Sequence, residues 1–346
     1  MRKIFLTIIM LATFIFSGCL SQAEVDGGIH VEAAQGKGDL KISMLNVGKS
    51  DSILIQTGKQ TILIDTGSTK THELLIKDLE KLSVTKIDKL IITHAHSDHI
   101  GGARILIAPS EEELTAFPYL EKISVGEIYD NGIAAGSKVY SGYLKALKTT
   151  GRTAHTLKTG ETLDFGNGVK FKVLFPTEEF VNFVNNNKIA SDDKEHNLNN
   201  GSIVGKLTYK NFSMMFTGDC ERATEAKILA NNDAKDLKCD VIKVPHHGSS
   251  TSSTKNFVMT VNPSYALISS GHREENGVLY GHPYLKPLKT YLAAGVDKKN
   301  ILCTRFNGII TVVSDGKNFT VTPEIKADWL DDWIALKEKA QKNKEE

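Results

Sequence analysis

Three histidines and an aspartate crowd one short stretch of this sequence. THAHSDHIGG places His94, His96, Asp98 and His99 in a tight turn directly after a β-rich apolar run. Imidazole nitrogens and carboxylate oxygens are suitable Zn²⁺ ligands, and alternate residues of such a turn can direct two donors to one ion and two to another. Histidines that only fill a core or lie at a surface do not need this spacing. The pattern therefore predicts a site for two divalent metals.

Further candidate residues follow two other predicted strands, and one more lies in a loop. Asp219 closes the run FTGD, His246 and His247 are adjacent in KVPHHGS, and His282 lies in YGHP. Each could contribute a metal ligand or a proton donor. The alternative for Asp219 is a cap on the helix predicted to begin near Glu221, and the alternative for His282 is a loop histidine beside a proline.

Strands and helices alternate along the chain and must bring these residues together. β-rich runs at 40–48, 51–58 and 59–67 predict a strand meander, followed by a helix at 71–82 and a strand at 89–96. The second half of the chain repeats this alternation. Two similar α/β halves are therefore predicted, with sheets face to face and helices outside, because each sheet must bury one face. Sites of α/β proteins usually lie at the C-terminal ends of their strands.

The first residues are typical of an export signal. Two basic residues precede an apolar run from Ile4 to Phe16, and small residues then lead to Cys19. The 13 residues of this run are too few to cross a bilayer core of about 30 Å, which takes roughly 20 residues in a helix. Residues 16–19 resemble the bacterial lipoprotein signal. That resemblance implies an exported chain anchored to the cell membrane, on its extracytoplasmic face, through a lipidated Cys19.

Composition and the pattern of apolar and polar residues divide the chain into four parts. Residues 1–18 are the predicted lipoprotein signal peptide, 19–38 a polar tether, 39–322 the folded domain, and 323–346 a C-terminal helix with a charged tail. After removal of the signal peptide, 40 basic and 41 acidic residues remain. This near-neutral balance counts against a dedicated nucleic-acid binder, which usually carries a basic face.

The H-x-H-x-D-H pattern of residues 94–99 resembles the metal-binding motif of the metallo-β-lactamase superfamily, and LIDTG at 63–67 resembles its upstream motif. The resemblance implies a four-layer αββα metallo-β-lactamase sandwich of two similar halves. It also implies that Asp65 holds the metal-binding loop by hydrogen bonds and that Asp219 bridges both metals. The metal ligands expected on this basis are His94, His96, Asp98, His99, Asp219, His247 and His282.

Catalytic roles are expected for His246 and Asp98. At least one of His246 and His247 should be a ligand, and the other a proton donor or a phosphate contact; the sequence does not decide which. Many superfamily members also place a histidine ahead of the bridging aspartate, whereas this chain offers His196 in a polar loop and an asparagine-rich run ending at Asn200. Water, Asn200 or a histidine of the PHH pair is expected to fill that position.

A wider set of motifs between residues 40 and 316 is most similar to the nuclease-like C-terminal domain of ComEC competence proteins. The motifs are MLNVGKSDSILI, ILIDTG, THAHSDHIGG, NNGSIVGKLTY, FTGD, KVPHHGS, YGHP and NGIITVVSDG. Sequences of this group usually read VGQGDS where residues 47–52 read VGKSDS. The loop on the substrate side is therefore expected to differ.

These resemblances imply hydrolysis by a metal-activated hydroxide. Two divalent ions roughly 3.5–4 Å apart would share a water and lower its pKa toward about 7, with Zn²⁺ the default metal and Mn²⁺ the next candidate. The expected substrate is a phosphodiester, in nucleic acid or in a surface polymer, with a histidine protonating the leaving group. The alternatives are hydrolysis of a thioester, a lactone or a β-lactam on the same fold, or a non-catalytic surface binding module.

Overall fold

The computed structural model describes residues 40–187, 191–271, 273–275 and 278–345. The predicted signal peptide, the tether and Cys19 lie outside these residues, so their assignments stay predictions. Within the described ranges, no helix has the length and apolar character needed to cross a membrane.

Strands and short helices alternate along the described chain. The strands are β1 (Leu40–Met44), β2 (Ile53–Gln56), β3 (Thr61–Ile64), β4 (Lys86–Ile91), β5 (Ser124–Asp130), β6 (Ala154–Thr156), β7 (Thr162–Asp164), β8 (Val169–Phe175), β9 (Val204–Tyr209), β10 (Phe212–Phe216), β11 (Val241–Lys243), β12 (Tyr265–Ile268), β13 (Arg273–Glu275), β14 (Val278–Tyr280), β15 (Ile301–Cys303), β16 (Ile310–Ser314) and β17 (Phe319–Pro323). The α-helices are α1 (His72–Lys81), α2 (Ser97–Ile100), α3 (Ala103–Ile107), α4 (Glu111–Ala116), α5 (Lys138–Thr149), α6 (Glu178–Asn186), α7 (Ser191–Asn200), α8 (Arg222–Asn231), α9 (Ala234–Leu237), α10 (Lys255–Val261), α11 (Leu285–Ala293), α12 (Thr304–Asn307) and α13 (Leu330–Glu345). Short 3₁₀ segments cover Pro118–Lys122, Pro245–Gly248 and Lys298–Asn300.

The strands form two large sheets that repeat one pattern. The first has the order β17-β16-β1-β2-β3-β4-β5-β6, and the second has the order β15-β12-β11-β10-β9-β8-β7. In each sheet three parallel strands continue an antiparallel block: β4, β5 and β6 follow β3, and β11, β12 and β15 follow β10. Parallel neighbours need crossover connections, which are largely helical here. This repeat makes the two halves similar.

Three apolar layers hold the sheets and helices together. The layer between the sheets takes side chains from both of them, including Ile42, Ile55, Phe171, Leu207 and Phe216. The helices that connect β3 to β6 pack on the outer face of the first sheet, and the helices that follow β10 cover the second. The protein is therefore an αββα sandwich, which confirms the fold predicted from the sequence.

The C-terminal helix is joined to the domain through two tryptophans. Trp329, just before α13, stacks on Phe306 with 4.6 Å between ring centroids, and Trp333 meets the same ring edge-on at 5.4 Å. Trp333 Nε1 donates to the carbonyl oxygen of Pro283 at 2.9 Å. This bond fixes α13 to the segment that carries the candidate residue His282.

The polar stretch before β9 is helical, and the prediction of a loop around His196 is wrong. Leu198, Asn199 and Asn200 of α7 are buried. Asn200 Oδ1 accepts hydrogen bonds from the backbone N–H of Thr224 at 3.3 Å and from its hydroxyl at 3.0 Å. Such bonds let the polar C-terminal end of this helix be buried without an apolar stripe, so hydrophobic periodicity could not reveal it.

Candidate metal centre

Loops at the ends of four strands carry the candidate residues. Asp65 follows β3, residues 94–99 follow β4, Asp219 follows β10, and the pair His246–His247 follows β11. Because β3 and β4 are parallel, as are β10 and β11, each sheet brings its two loops to one edge. Side-chain contacts between these loops join the edges of the two sheets.

Asp98, His99, Asp219 and His247 form a compact central cluster. One potential ligand atom of each lies within 4.8 Å of the others. Asp219 Oδ2 is 3.2 Å from His99 Nε2 and 3.3 Å from His247 Nε2, and His247 Nε2 is 3.5 Å from Asp98 Oδ2. The Asp98 side chain is 24% exposed, whereas the other three are at most 3% exposed. Asp98 therefore marks the open side of the central cluster.

His94 and His96 form a second donor pair beside the central cluster. His94 Nε2 lies 3.0 Å from His96 Nδ1, and the His94 ring centroid is 4.1 Å from that of His99. His94 Nδ1 contacts the hydroxyls of Thr93 at 3.1 Å and Ser202 at 3.2 Å. These hydroxyls fix the ring so that Nε2 faces His96. The motif donors therefore lie in two adjacent sets.

Several atoms of the central cluster lack hydrogen-bond partners within the described structure. His99 Nε2, His247 Nε2 and Asp219 Oδ1 are all buried in this condition. Native proteins rarely leave buried polar atoms unsatisfied, and a bound ion is a common reason for an exception. Imidazoles and carboxylates are the ligand types that Zn²⁺ and related cations take. The donor set therefore fits a divalent metal.

Carboxylates raise the pKa of two histidines in the central cluster. Although burial opposes protonation of His247, Asp219 and Asp51 raise its pKa to about 10. The pKa of His99 also lies well above its ordinary value, because Asp219, Asp65 and Asp51 outweigh burial. A site that attracts protons so strongly also attracts metal cations, and both compete for the same nitrogens.

Metal binding is expected to release protons from the central cluster. His247 is protonated near neutral pH in the metal-free protein, whereas a ligand imidazole must be neutral. Metal affinity should therefore rise about tenfold per pH unit for each proton released, until the pH exceeds the raised pKa of His247. Calorimetric titration with Zn²⁺ in buffers of different ionisation enthalpy measures this release. Binding without proton release near neutral pH would contradict a ligand role for His247.

Asp65 holds the loop that carries His99. Its Oδ1 accepts the backbone N–H of Thr93 at 2.7 Å, and its Oδ2 accepts the Thr93 hydroxyl at 2.7 Å and lies 2.8 Å from His99 Nδ1. The His99 ring therefore keeps Nε2 toward the central cluster. Gly101 permits the close approach of the two loops, because a Cβ there would lie 2.4 Å from the backbone nitrogen of Thr69.

A buried ion pair between Lys243 and Asp51 lies behind the central cluster, and the sequence analysis did not predict it. Lys243 Nζ is 2.7 Å from Asp51 Oδ2 and 3.8 Å from Asp219 Oδ1. Burial opposes the charge, but Asp51 and Asp219 raise the pKa of Lys243 above its ordinary value, so the residue remains a cation. The alternation of side chains along β11 indicates where Lys243 points. Val241 faces the layer between the sheets, and Lys243, two residues later, is turned to the same side.

Asp51 also helps to orient His247. The Nδ1 of His247 lies 2.9 Å from the carbonyl oxygen of Ser269 and 3.3 Å from Asp51 Oδ1, and the Ser269 hydroxyl donates to the same carboxylate. With Nδ1 occupied in this way, Nε2 is directed to the central cluster. His247 and His99 are thus each supported by a carboxylate at Nδ1.

The turn that carries the two adjacent histidines has an unusual backbone. His246 and His247 have φ values of 50° and 53°, in the left-handed region that residues with a Cβ rarely occupy. Such conformations cost of order 1–3 kcal/mol each and are found where surrounding contacts hold them, often at functional sites. Here the His246 N–H donates to Gly218 O at 3.2 Å, and the Ser249 N–H donates to His246 O at 2.7 Å. The turn is therefore held in place by its neighbours.

His246 is anchored on the side away from the central cluster. Its Nδ1 lies 3.0 Å from the Thr251 hydroxyl and 3.4 Å from Glu221 Oε1, while its Nε2 lies 3.8 Å from Asp219 Oδ2. The second oxygen of Glu221 lies 2.7 Å from His196 Nδ1. One ring nitrogen of His246 thus faces the central cluster while the other is held, an arrangement suited to a proton donor.

His282 lies beside the central cluster rather than within it. Its ring centroid is 5.8 Å from that of His246 and 6.0 Å from that of His247. Its Nδ1 is buried without a hydrogen-bond partner among the described residues. Burial, followed by the charges of His247 and Lys49, lowers the pKa of His282 to about 2, so the ring is neutral. A ligand role for His282 stays a prediction.

The candidates for the missing histidine position have other contacts in the structure. His196 is engaged by Glu221, and Asn200 is bound to Thr224. His196 lies outside the groups of described His, Cys, Asp and Glu residues that could jointly hold a metal, which are Asp98–His99–Asp219–His247 and Asp51–Asp65–His99. Water, Asn200 or a histidine of the PHH pair stays the expectation for that position.

Ser202 is a further residue of the centre that the sequence analysis did not single out. Its hydroxyl contacts His94 Nδ1 at 3.2 Å and accepts the backbone N–H of Asp219 at 3.0 Å. It therefore links His94 to the loop that carries Asp219.

The alternative role of Asp219 as a helix cap is wrong, because the residue at the N-cap of α8 is Glu221.

Residues 45–115 match the family model described as the Metallo-beta-lactamase superfamily. This segment contains the upstream aspartate loop and the complete histidine motif, and it lies within an αββα sandwich with a cluster of metal-binding residue types. The chain therefore contains a metallo-β-lactamase domain, and its class is that of the metal-dependent hydrolases of this fold.

Two proteins of bacterial competence have sequences similar to that of this chain. The chain is 29% identical to ComE operon protein 3 of Bacillus subtilis over 88% of its own length and 38% of that protein. It is 26% identical to Competence protein ComA of Neisseria gonorrhoeae over 70% of its own length and 28% of that protein. It is thus homologous to competence proteins of the ComEC family, and it spans less than two fifths of the length of these relatives.

One solved structure was matched to this chain at low sequence identity. The metallo-β-lactamase fold protein YhfI of Bacillus subtilis superposes with a TM-score of 0.46 at 12% sequence identity, covering 80% of this chain and 100% of that chain.

Proposed function

We propose that this protein is an exported, metal-dependent phosphodiesterase with a centre for two divalent metals. The observation that carries the proposal is the pair of adjacent donor sets: His94 and His96 on one side, and the central cluster on the other. Asp219 approaches two ligand nitrogens of the central cluster through one oxygen and leaves the other without a hydrogen bond. The ComEC-like motif set supports a phosphoester substrate.

Divalent metals bound by these residues would supply Lewis acidity and activate a water, with Zn²⁺ the default and Mn²⁺ the next candidate. Around them, the chain's own residues hold the donors in the productive tautomer. Asp65 binds Nδ1 of His99, and Ser269 O with Asp51 binds Nδ1 of His247, so that both Nε2 atoms face the centre.

His246 is the proposed proton donor to the leaving group. Glu221 and Thr251 hold its Nδ1, and its Nε2 faces Asp219 from outside the central cluster. Protonation of the departing oxygen lowers the barrier because a neutral alcohol leaves more readily than an alkoxide. Asp98 is the proposed metal ligand at the open side of the central cluster. It would therefore be the ligand nearest to the entering substrate.

Attachment to the membrane and the natural substrate belong to the same proposal. Lipidation of Cys19 after export would place the domain on the extracytoplasmic face of the cell membrane. The phosphodiester would then come from nucleic acid or from a surface polymer. Comparing the hydrolysis of DNA with that of isolated surface polymers separates these two sources.

The test is hydrolysis of bis-p-nitrophenyl phosphate by protein loaded with Zn²⁺ or Mn²⁺, beside Asp98→Asn. We expect metal-dependent turnover that falls more than about 100-fold in the variant, because Asp98 carries ligand charge at the centre. Parallel assays with a thioester, a lactone and a β-lactam test the other reactions of the fold. Two bound metals without diester turnover would refute the phosphodiesterase assignment. No turnover of the diester, the thioester, the lactone or the β-lactam would favour a binding module.

A further inference from the structure

Lys49 is a cation at the open side of the centre that the proposed mechanism does not use. Its Nζ lies 3.6 Å from Asp98 Oδ2, and the two side chains are 28% and 24% exposed. The deeper residues His99, Asp219 and His247 are almost completely enclosed. A molecule that approaches the metals from solvent on this side therefore meets the Lys49–Asp98 pair first.

The backbone around Lys49 is held rigidly. The Asp51 N–H donates to the carbonyl oxygen of Asp98 at 3.0 Å, so the loop of Lys49 is tied to the metal loop. Gly271 lies directly against it, because a Cβ on Gly271 would be 2.4 Å from the backbone nitrogen of Lys49. The backbone of Lys49 is thus fixed beside the centre, and its ammonium group lies at the rim next to Asp98.

At this rim the ammonium group of Lys49 is paired with the carboxylate of Asp98. A carboxylate that ligates a metal shares its charge with the ion, so a loaded centre weakens the hold of Asp98 on Lys49. The ammonium group is then available to another anion at the entrance.

We infer that Lys49 binds an anionic oxygen of the substrate and selects phosphodiesters over neutral esters at this centre. The inference rests on the proposed function and names the residue that would confer its substrate class. A lysine ammonium gives a charge-assisted hydrogen bond to a phosphate oxygen, which is stronger than the bond an amide can donate.

The test compares Lys49→Gln and Lys49→Arg with wild type, and uses Lys298→Gln as the matched control. Lys298 also pairs with a carboxylate, at 2.6 Å from Asp331 Oδ1. However, it precedes β15 and so lies at the N-terminal ends of the parallel strands, whereas the metal centre lies at their C-terminal ends. Metal content and the affinity for inorganic phosphate are measured on each metal-loaded protein by elemental analysis and calorimetry. Steady-state kinetics with bis-p-nitrophenyl phosphate complete the set.

In Lys49→Gln we expect unchanged metal content, a phosphate Kd raised about tenfold, and a similar rise in KM with kcat within about threefold. Lys49→Arg should retain phosphate affinity, and Lys298→Gln should match wild type. Unchanged phosphate affinity in Lys49→Gln would overturn the inference. Loss of metal in that variant would also overturn it, because Lys49 would then act on Asp98 alone.

The phosphate measurement separates this inference from the proposed function. If the wild-type protein bound two metals and turned over no diester, the phosphodiesterase proposal would fail. A tenfold loss of phosphate affinity in Lys49→Gln would still support an anion-binding role for Lys49. Wild-type diester turnover with equal phosphate affinity in both proteins would leave the proposed function intact and remove the role of Lys49.

Discussion

Replacing Asp219 by asparagine is expected to abolish most metal binding and activity. One oxygen of Asp219 lies 3.2 Å from His99, 3.3 Å from His247 and 3.8 Å from His246, so three imidazoles share this anion. Asparagine keeps the shape but has no charge and only one acceptor oxygen. Mutation of residues that merely support metal ligands costs about 10–100-fold in affinity, so the loss of a shared ligand should exceed about 100-fold. Competition with a chromophoric chelator measures the affinity.

Asp240→Asn is the matched control for this variant. The Asp240 side chain accepts a backbone hydrogen bond from Ser213 at 2.8 Å, but it precedes β11 and lies at the strand end opposite to the His246–His247 turn. It should retain the wild-type metal affinity. An Asp219→Asn protein that is folded and binds two metals as tightly as wild type would contradict the shared-ligand role.

Asp65→Asn is expected to weaken metal binding by about 10–100-fold although Asp65 need not touch the metal. An amide can still accept the Thr93 N–H with its oxygen, but it then presents an NH₂ group to Nδ1 of His99. The His99 ring would respond by accepting at Nδ1 and carrying its proton on Nε2, which is the atom needed for the metal. Asparagine tolerates the positive φ of 61° at this position, so the backbone should not be strained.

Two measurements distinguish this tautomer effect from general damage. ¹H–¹⁵N correlation spectra of the imidazoles, recorded above the raised pKa of His99 where the ring is neutral, report which nitrogen carries the proton, and we expect Nδ1 in wild type and Nε2 in the variant. Asp88→Asn is the control, because Asp88 accepts the backbone N–H of Thr61 at 2.8 Å within β4 and carries no contact to His99 among its hydrogen bonds. If Asp65→Asn kept both the wild-type tautomer and the wild-type affinity, the support that we assign to Asp65 would be wrong.

The strand-end motifs could be predicted because their signals are local. The β-rich run before His94, His96, Asp98 and His99 and the donors themselves occupy one continuous segment, and β4 delivers them at its C-terminal end. The αββα sandwich follows from the same alternation and is confirmed. The position of each donor within the central cluster was not accessible in this way, because it depends on the approach of β4 to β10 and β11 in another sheet.

The residues that support the metal ligands could not be predicted in this way, because their roles depend on contacts between distant parts of the chain. Ser269 and Asp51 are 218 positions apart and meet only when β12 and the loop before β2 reach the same edge. Lys243 appears in sequence as one charged residue in an apolar strand, and only its alternation with Val241 indicates that it points inward. Helix α7 was missed because hydrogen bonds of Asn200 replace the apolar stripe on which periodicity depends.

The number and position of bound metals decide whether this centre holds two divalent ions at the proposed residues. Protein saturated with Zn²⁺ is analysed for metal content, and crystals of it are examined by anomalous diffraction at the zinc edge. We expect two zinc ions per chain, one within the central cluster of Asp98, His99, Asp219 and His247, and one beside His94 and His96. Protein that binds no zinc, or that binds it away from these residues, would contradict the account.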